Sequence, residues 1–162
     1  MARIKGVKGG EEFSALLNGL AGDQAITVMK AAVYSGVGVL ADAIKAEIQS
    51  LPEDNGFKPN GVKRKVVDAH DKRMLQERLG VSRIEATGDK ANAAVSFSGY
   101  NDRPTKKYPQ GVPIPLIARS IESGSSVREK NPFIRRAFNA AKTKAQQKAI
   151  DAGQEKLNEL IK

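Results

Sequence analysis

The 162-residue chain contains a single histidine, His70, and no cysteine. These two counts remove most side-chain chemistry. Without thiols there can be no disulfide, thiolate metal site, iron–sulfur cluster or cysteine nucleophile. A histidine-based metal site would have one imidazole ligand, and a serine triad would have to be built entirely around His70, beside which no nucleophile-elbow pattern occurs. His70 therefore reads as a surface or helix-packing histidine. Glu53 and Asp54 adjoin in a turn-rich stretch, where neighbouring acids read as solvated turn residues and not as an acid/base pair. Gly36 and Gly38 fall inside a helical pattern, not in a loop after a strand, so they do not form a phosphate cradle. No catalytic, cofactor-binding or metal-ligating residue is assigned, and no enzymatic activity is expected.

Basic residues remain. Lysine and arginine total 27 against 18 acids, a net charge of +9, which draws the molecule to anionic surfaces. The charge is clustered at Lys63-Arg64-Lys65, at Lys106-Lys107, and at Arg135-Arg136 followed by Lys142, Lys144 and Lys148. A nucleic-acid module would commonly add stacking aromatics or a groove-reading helix. Aromatics make up only 5% of the chain, tryptophan is absent, and Phe133 and Phe138 read as helix anchors. Each cluster is a solvated face, a contact for an acidic protein, or a contact for a nucleic-acid backbone. The candidate interface residues are Lys63, Arg64, Lys65, Lys106, Lys107, Phe133, Arg135 and Arg136.

The elements that would position them follow from periodicity. Hydrophobic residues are 40% and charged residues 28% of the sequence, the balance of a globular protein long enough for one core. The organisation expected is a mobile basic arm over residues 1–10 and a single α+β domain over 11–162. The arm lacks the apolar segment of a secretory signal. The most apolar stretch, Ala31 to Ile44, is broken by Ser35, Gly36, Gly38 and Asp42 and is shorter than the roughly 20 residues a bilayer requires, so a soluble protein is expected.

A short helix is predicted from Glu11 to Asn18. A long one starts at Asp23 as N-cap, carries Ile26, Met29, Val33, Val37, Leu40, Ile44, Ile48 and Leu51 as one stripe, and ends at Leu51-Pro52. Its internal glycines require a close crossing or a bend as compensation. Residues 52–61 form a loop. A second helix is predicted from Asp68, its cap, to Leu79, with Gly80 closing it. Alternation in Ser82–Ala86 and in Ala91–Phe97 around Thr87-Gly88-Asp89-Lys90 predicts a hairpin. Residues 101–115 read as an exposed excursion, and 116–122 as either an edge strand or a short helix. Asn131 and Pro132 then open a terminal helix whose apolar face is Ile134, Phe138, Ala141, Ala145, Ala149, Leu157 and Ile161.

The segment IARSIESGSSVREKNPFIRRAF, residues 117–138, resembles the tail-component family of tailed bacteriophages. Members often carry an IAR-x-(I/L)-E-(Y/F/S)-G-(T/S) stretch, a variable loop, and PF-(I/L)-R-x-A-(F/L) opening a terminal helix. The matching residues are Ile117, Ala118, Arg119, Ile121, Glu122, Gly124 and Ser125, then Pro132, Phe133, Ile134, Arg135, Ala137 and Phe138. The long helix ending at Leu51-Pro52 is similar to one in that family. The sequence departs where many members have a compact threonine-glycine turn and this chain has PEDNGFKPNGVKRK. The resemblance implies a virion protein of the head–tail joint that closes into a ring, sixfold by that likeness. Such a ring completes or terminates the tail tube. It contacts the tube protein and adjoining connectors, and leaves a channel through which DNA passes without sequence-specific binding. The alternative from the residues themselves is a basic nucleic-acid-binding accessory protein.

Overall fold

The computed structural model describes residues 15, 17–19, 22–53, 67–87, 90–126 and 128–161. Four helices, α1 (Gly22–Ser50), α2 (Ala69–Arg78), α3 (Ile114–Glu122) and α4 (Phe133–Ile161), enclose in chain order four short strands after α2. These are β1 (Leu79–Val81), β2 (Glu85–Thr87), β3 (Lys90–Asn92) and β4 (Val95–Phe97). The class is α+β, with a long helix in each half and a small antiparallel region between them. Ala15, Leu17 and Asn18 are helical, within the short helix expected there. The remainder of that helix, the arm and Lys63-Arg64-Lys65 lie outside the described residues.

The chain forms two compact units, one of residues 1–40, 81–94 and 141–162 and one of 41–80 and 95–140. In the first, Val28 and Ala32 of α1 pack with Ile150 and Leu157 of α4, joined by Leu17 and Ala149. Gly36 is buried one turn further along α1. A Cβ there would lie 3.0 Å from the Ala145 carbonyl oxygen and 3.1 Å from the Ala149 methyl. Glycine within a helix costs about 1 kcal/mol relative to alanine, and here it permits the close crossing that the sequence calls for. The buried line is thus Val28, Ala32 and Gly36, whereas Ile26, Met29, Val33, Val37 and Leu40 of the expected stripe are only half-buried. Contact with an alanine-rich partner selects the small side chains, which rotates the seam away from the large ones. Helix α1 is also long and apolar enough, by length and composition, to cross a bilayer, a test that amphipathic core helices pass as well.

The second unit holds the larger core. Ile44 and Ile48 of α1, Leu51 directly after it, Met74 and Leu75 of α2, and Ile114, Ile117, Ala118 and Ile121 of α3 surround Phe133 and Ala137 of α4. Residues 116–122, where strand and helix were both open, are helical from Ile114. Pro113 precedes the first turn and Pro115 lies within it, where a missing N–H forfeits no helical bond. Burial at 114, 117, 118 and 121 gives the helical period.

Two expected boundaries shift. Helix α2 stops at Arg78, since Leu79 is already extended at φ −75° and ψ 126°, and Leu79 and Gly80 belong to β1. The predicted hairpin forms, β2 pairing with β3, Glu85 opposite Asn92, and β1 with β4 further from the tip, so that its first strand reaches back to Leu79. The Ser82 N–H donates to the Ala94 carbonyl at 2.8 Å. Against the Glu85–Asn92 register, Arg83 and Ile84 therefore stand opposite Ala93 alone, a bulge that interrupts the alternation.

The start of α4 is capped from outside. The helix has no acid in its first turn. The N–H groups of Ile134 and Arg135 donate to the two carboxylate oxygens of Glu122, at 2.8 and 3.3 Å. Asn131, the expected cap, instead accepts from the Arg136 guanidinium at 2.8 Å. Glu122 thus supplies both acceptors and negative charge at the positive end of the helix dipole.

Candidate functional site

Among the described residues no group of three or more histidine, cysteine or acidic side chains is placed to hold a metal ion. Two concavities among the described residues are open polar hollows, one lined by Asp151, Glu155 and Glu159 of α4 and one by Gln49, Glu53 and Lys72. Glu53 is held by the Lys72 ammonium at 2.6 Å, and Lys72 also donates to the Leu51 carbonyl at 3.0 Å. The loop before α3 carries the exposed Lys106 and Lys107.

That loop is fastened at both ends. The Asn101 N–H donates to the Val112 carbonyl at 2.9 Å, and the Asn101 side-chain oxygen accepts from the Val112 N–H at 2.8 Å and from the Arg103 N–H at 3.3 Å. Asn101 is only 5% exposed, which fits a buried polar group whose bonds are made. Gly111, at φ +98°, passes directly beneath it: a Cβ would fall 1.7 Å from the Asn101 carbonyl oxygen. At the tip Thr105 and Tyr108 exchange backbone hydrogen bonds of 2.9 and 3.0 Å, and Gly111 donates to the Tyr108 carbonyl at 3.0 Å. Gly111→Ala should combine left-handed strain with a backbone collision and cost about 2 kcal/mol. Urea unfolding would measure this, and a loss below half that value would mean the loop relaxes freely.

The first turn of α2 secures the loop electrostatically. Asp68 caps α2 by accepting from the His70 N–H at 2.8 Å and pairs with Arg103 at 3.2 Å. The His70 ring, with a side chain 12% exposed, places Nε2 against an Asp102 carboxylate oxygen off the line of a hydrogen bond. On the same turn Asp71 pairs with Arg128 of the following loop. No hydroxyl nucleophile completes a triad with His70 in these contacts, whose effect is to position two loops.

Burial alone would raise the Asp68 pKa. The His70 N–H, the Arg103 guanidinium and the Asp71 N–H outweigh it and hold the carboxylate below its ordinary value of 3.8. A depressed folded-state pKa contributes stability above the unfolded value and loses it as pH falls through the folded one. The contribution should be intact at neutral pH, begin to fall below 3.8, and be gone once pH is under the folded pKa. In urea titrations between neutral pH and about pH 3, Asp68→Asn, which keeps the cap oxygen, should show a shallower acid loss than wild type. Parallel curves would rule out the Asp68 contribution.

The candidate interface residues separate on this structure. Lys106 and Lys107 are exposed, and the Lys107 ammonium lies 5.5 Å from the Tyr108 ring centroid. Arg135 is exposed, while Arg136 is committed to Glu47 at 2.8 and 3.0 Å and to Asn131. Phe133 is fully buried and acts in the core, not on a surface. Phe138, read as an anchor, is 51% exposed; the α4 face buried at Phe133, Ala137 and Ala141 excludes it. The sequence reading missed Tyr100, Asn101, Asp102 and Gly111. The only signal for them was the density of turn-forming residues.

No family of known proteins, no curated protein and no solved structure matches this chain.

Proposed function

We propose that this protein is a structural virion subunit of a phage head–tail joint, forming a ring that completes or terminates the tail tube around the DNA channel. What carries the reading is the likeness of residues 117–138 to tail-component proteins. The residues in that likeness form one working corner. Ile117, Ala118 and Ile121 bury α3, Glu122 caps α4, and Phe133 and Ala137 return to the same core. A segment with those joint duties tolerates a variable loop between its two halves, the pattern in which the likeness appears.

Two further features suit a ring. Each two-stranded sheet leaves outer edges without a strand partner among the described residues, and edge addition joins identical subunits through backbone hydrogen bonds. The contacts of His70, Asp71 and Asp102 position loops without forming a catalytic constellation. In this reading the core makes the ring and the exposed segments meet neighbouring tail and neck proteins. Light scattering on nuclease-treated protein, alone and with its candidate tail-tube partner, tests it. A species of about six subunits is expected; a monomer that ignores the tube would overturn the proposal.

A further inference from the structure

The geometry points to the loop from Tyr100 to Tyr108 as a preformed contact for single-stranded nucleic acid, with Lys106 and Lys107 on the phosphates and Tyr100 stacking on a base. This goes beyond the ring proposal and stands or falls separately from it. Three observations carry it. The loop's acid, Asp102, sits at its base against His70 with a side chain that is 66% exposed, whereas the exposed charge at the tip is that of Lys106 and Lys107. The loop is already ordered by the Asn101, Thr105 and Gly111 hydrogen bonds, so binding need not supply the ordering entropy that a flexible basic segment would lose. Finally, two of the chain's three tyrosines stand at its ends. Tyr108 lies under Lys107, and Tyr100 is 51% exposed.

The tyrosines decide the class of partner. Two lysines alone would serve an acidic peptide equally well, but an exposed Tyr100 on the same ordered loop as the exposed Lys106 and Lys107, the latter 5.5 Å from the Tyr108 ring centroid, matches the alternation of base and phosphate along an unpaired strand. Arg103 is not counted among the phosphate ligands, because its guanidinium is engaged by Asp68.

The test uses the nuclease-treated full chain and a labelled 20-nucleotide single strand, read by fluorescence anisotropy over a salt series, with the same-length duplex and polyglutamate as competitors. Salt-sensitive binding to the single strand is expected, with the duplex competing more weakly. Lys106→Glu/Lys107→Glu should weaken binding about 10-fold or more and reduce the logarithmic salt slope by about 2. The control Lys142→Glu/Lys144→Glu, which makes the same change in net charge on α4, should do less. Tyr100→Ala should remove the preference for the single strand. Thermal melts establish that each variant folds. Equal weakening by the two charge-reversed pairs would reduce binding to net charge and overturn the assignment. Competition by polyglutamate as effective as that of the strand would transfer the loop to an acidic protein partner and overturn it too.

Discussion

Replacing Phe133 by alanine should destabilise the protein by about 3–5 kcal/mol, the range for deleting a fully buried aromatic ring. The side chain is 0% exposed and is the largest of those completely enclosed among the described residues. Its ring meets Phe97 edge-on, with centroids 6.3 Å apart and planes at 60°, a favoured aromatic geometry. It also stands where α1, α2 and α3 converge on α4, so no single neighbour can move in to fill the space. Urea unfolding of Phe133→Ala, Phe133→Leu and Phe138→Ala would check this. The leucine variant should lose less, and Phe138→Ala, at a site 51% exposed, should lie within about 0.5 kcal/mol of wild type. Similar losses for the two alanine variants would contradict the assignment of the core.

The second large effect concerns the ion pair of Asp71 and Arg128, whose side chains are 9% and 16% exposed. Removing either partner should cost about 3–5 kcal/mol, because the charge left behind is poorly solvated. Arg128 already has a buried Nη1 without a hydrogen-bond partner, so it has no second acceptor to turn to. The double replacement Asp71→Leu/Arg128→Met should cost less than either single truncation, since two apolar groups leave no stranded charge. A double-mutant cycle reads the coupling directly. Additive losses would show that the pair does not act as a unit.

Long-range pattern was legible in the sequence wherever one helix face dictates burial. Ile44, Ile48 and Leu51 lie in the core as their spacing requires, and Asp68 caps α2 as its position before the apolar run suggests. The expectations that shifted did so where a partner across space decides. The α1 seam follows Gly36 because Ala145 and Ala149 approach it. The α4 cap is Glu122 and not the nearby Asn131, because α3 ends close enough to present a carboxylate. The hairpin continues beyond its tip as β1 with β4, but the extra residue on its first strand was not legible, because a bulge is set by the pairing across the two strands. The candidate loop was legible as exposed and basic. Its fastening was not, since no local rule announces that Asn101 and Gly111, ten positions apart, share one contact.

The capping of α4 by Glu122 has a consequence for the order in which the chain folds. A helix opening with Arg135 and Arg136 and no acid in its first turn is electrostatically disfavoured at that end while alone. Its initial turn has to wait until α3 has formed and brought the carboxylate across the intervening loop. In rate measurements, Glu122→Gln should chiefly accelerate unfolding if that docking follows the main barrier and chiefly retard folding if it precedes it. The junction between the two helices thereby becomes a clock for when the terminal third of the protein commits to its native arrangement.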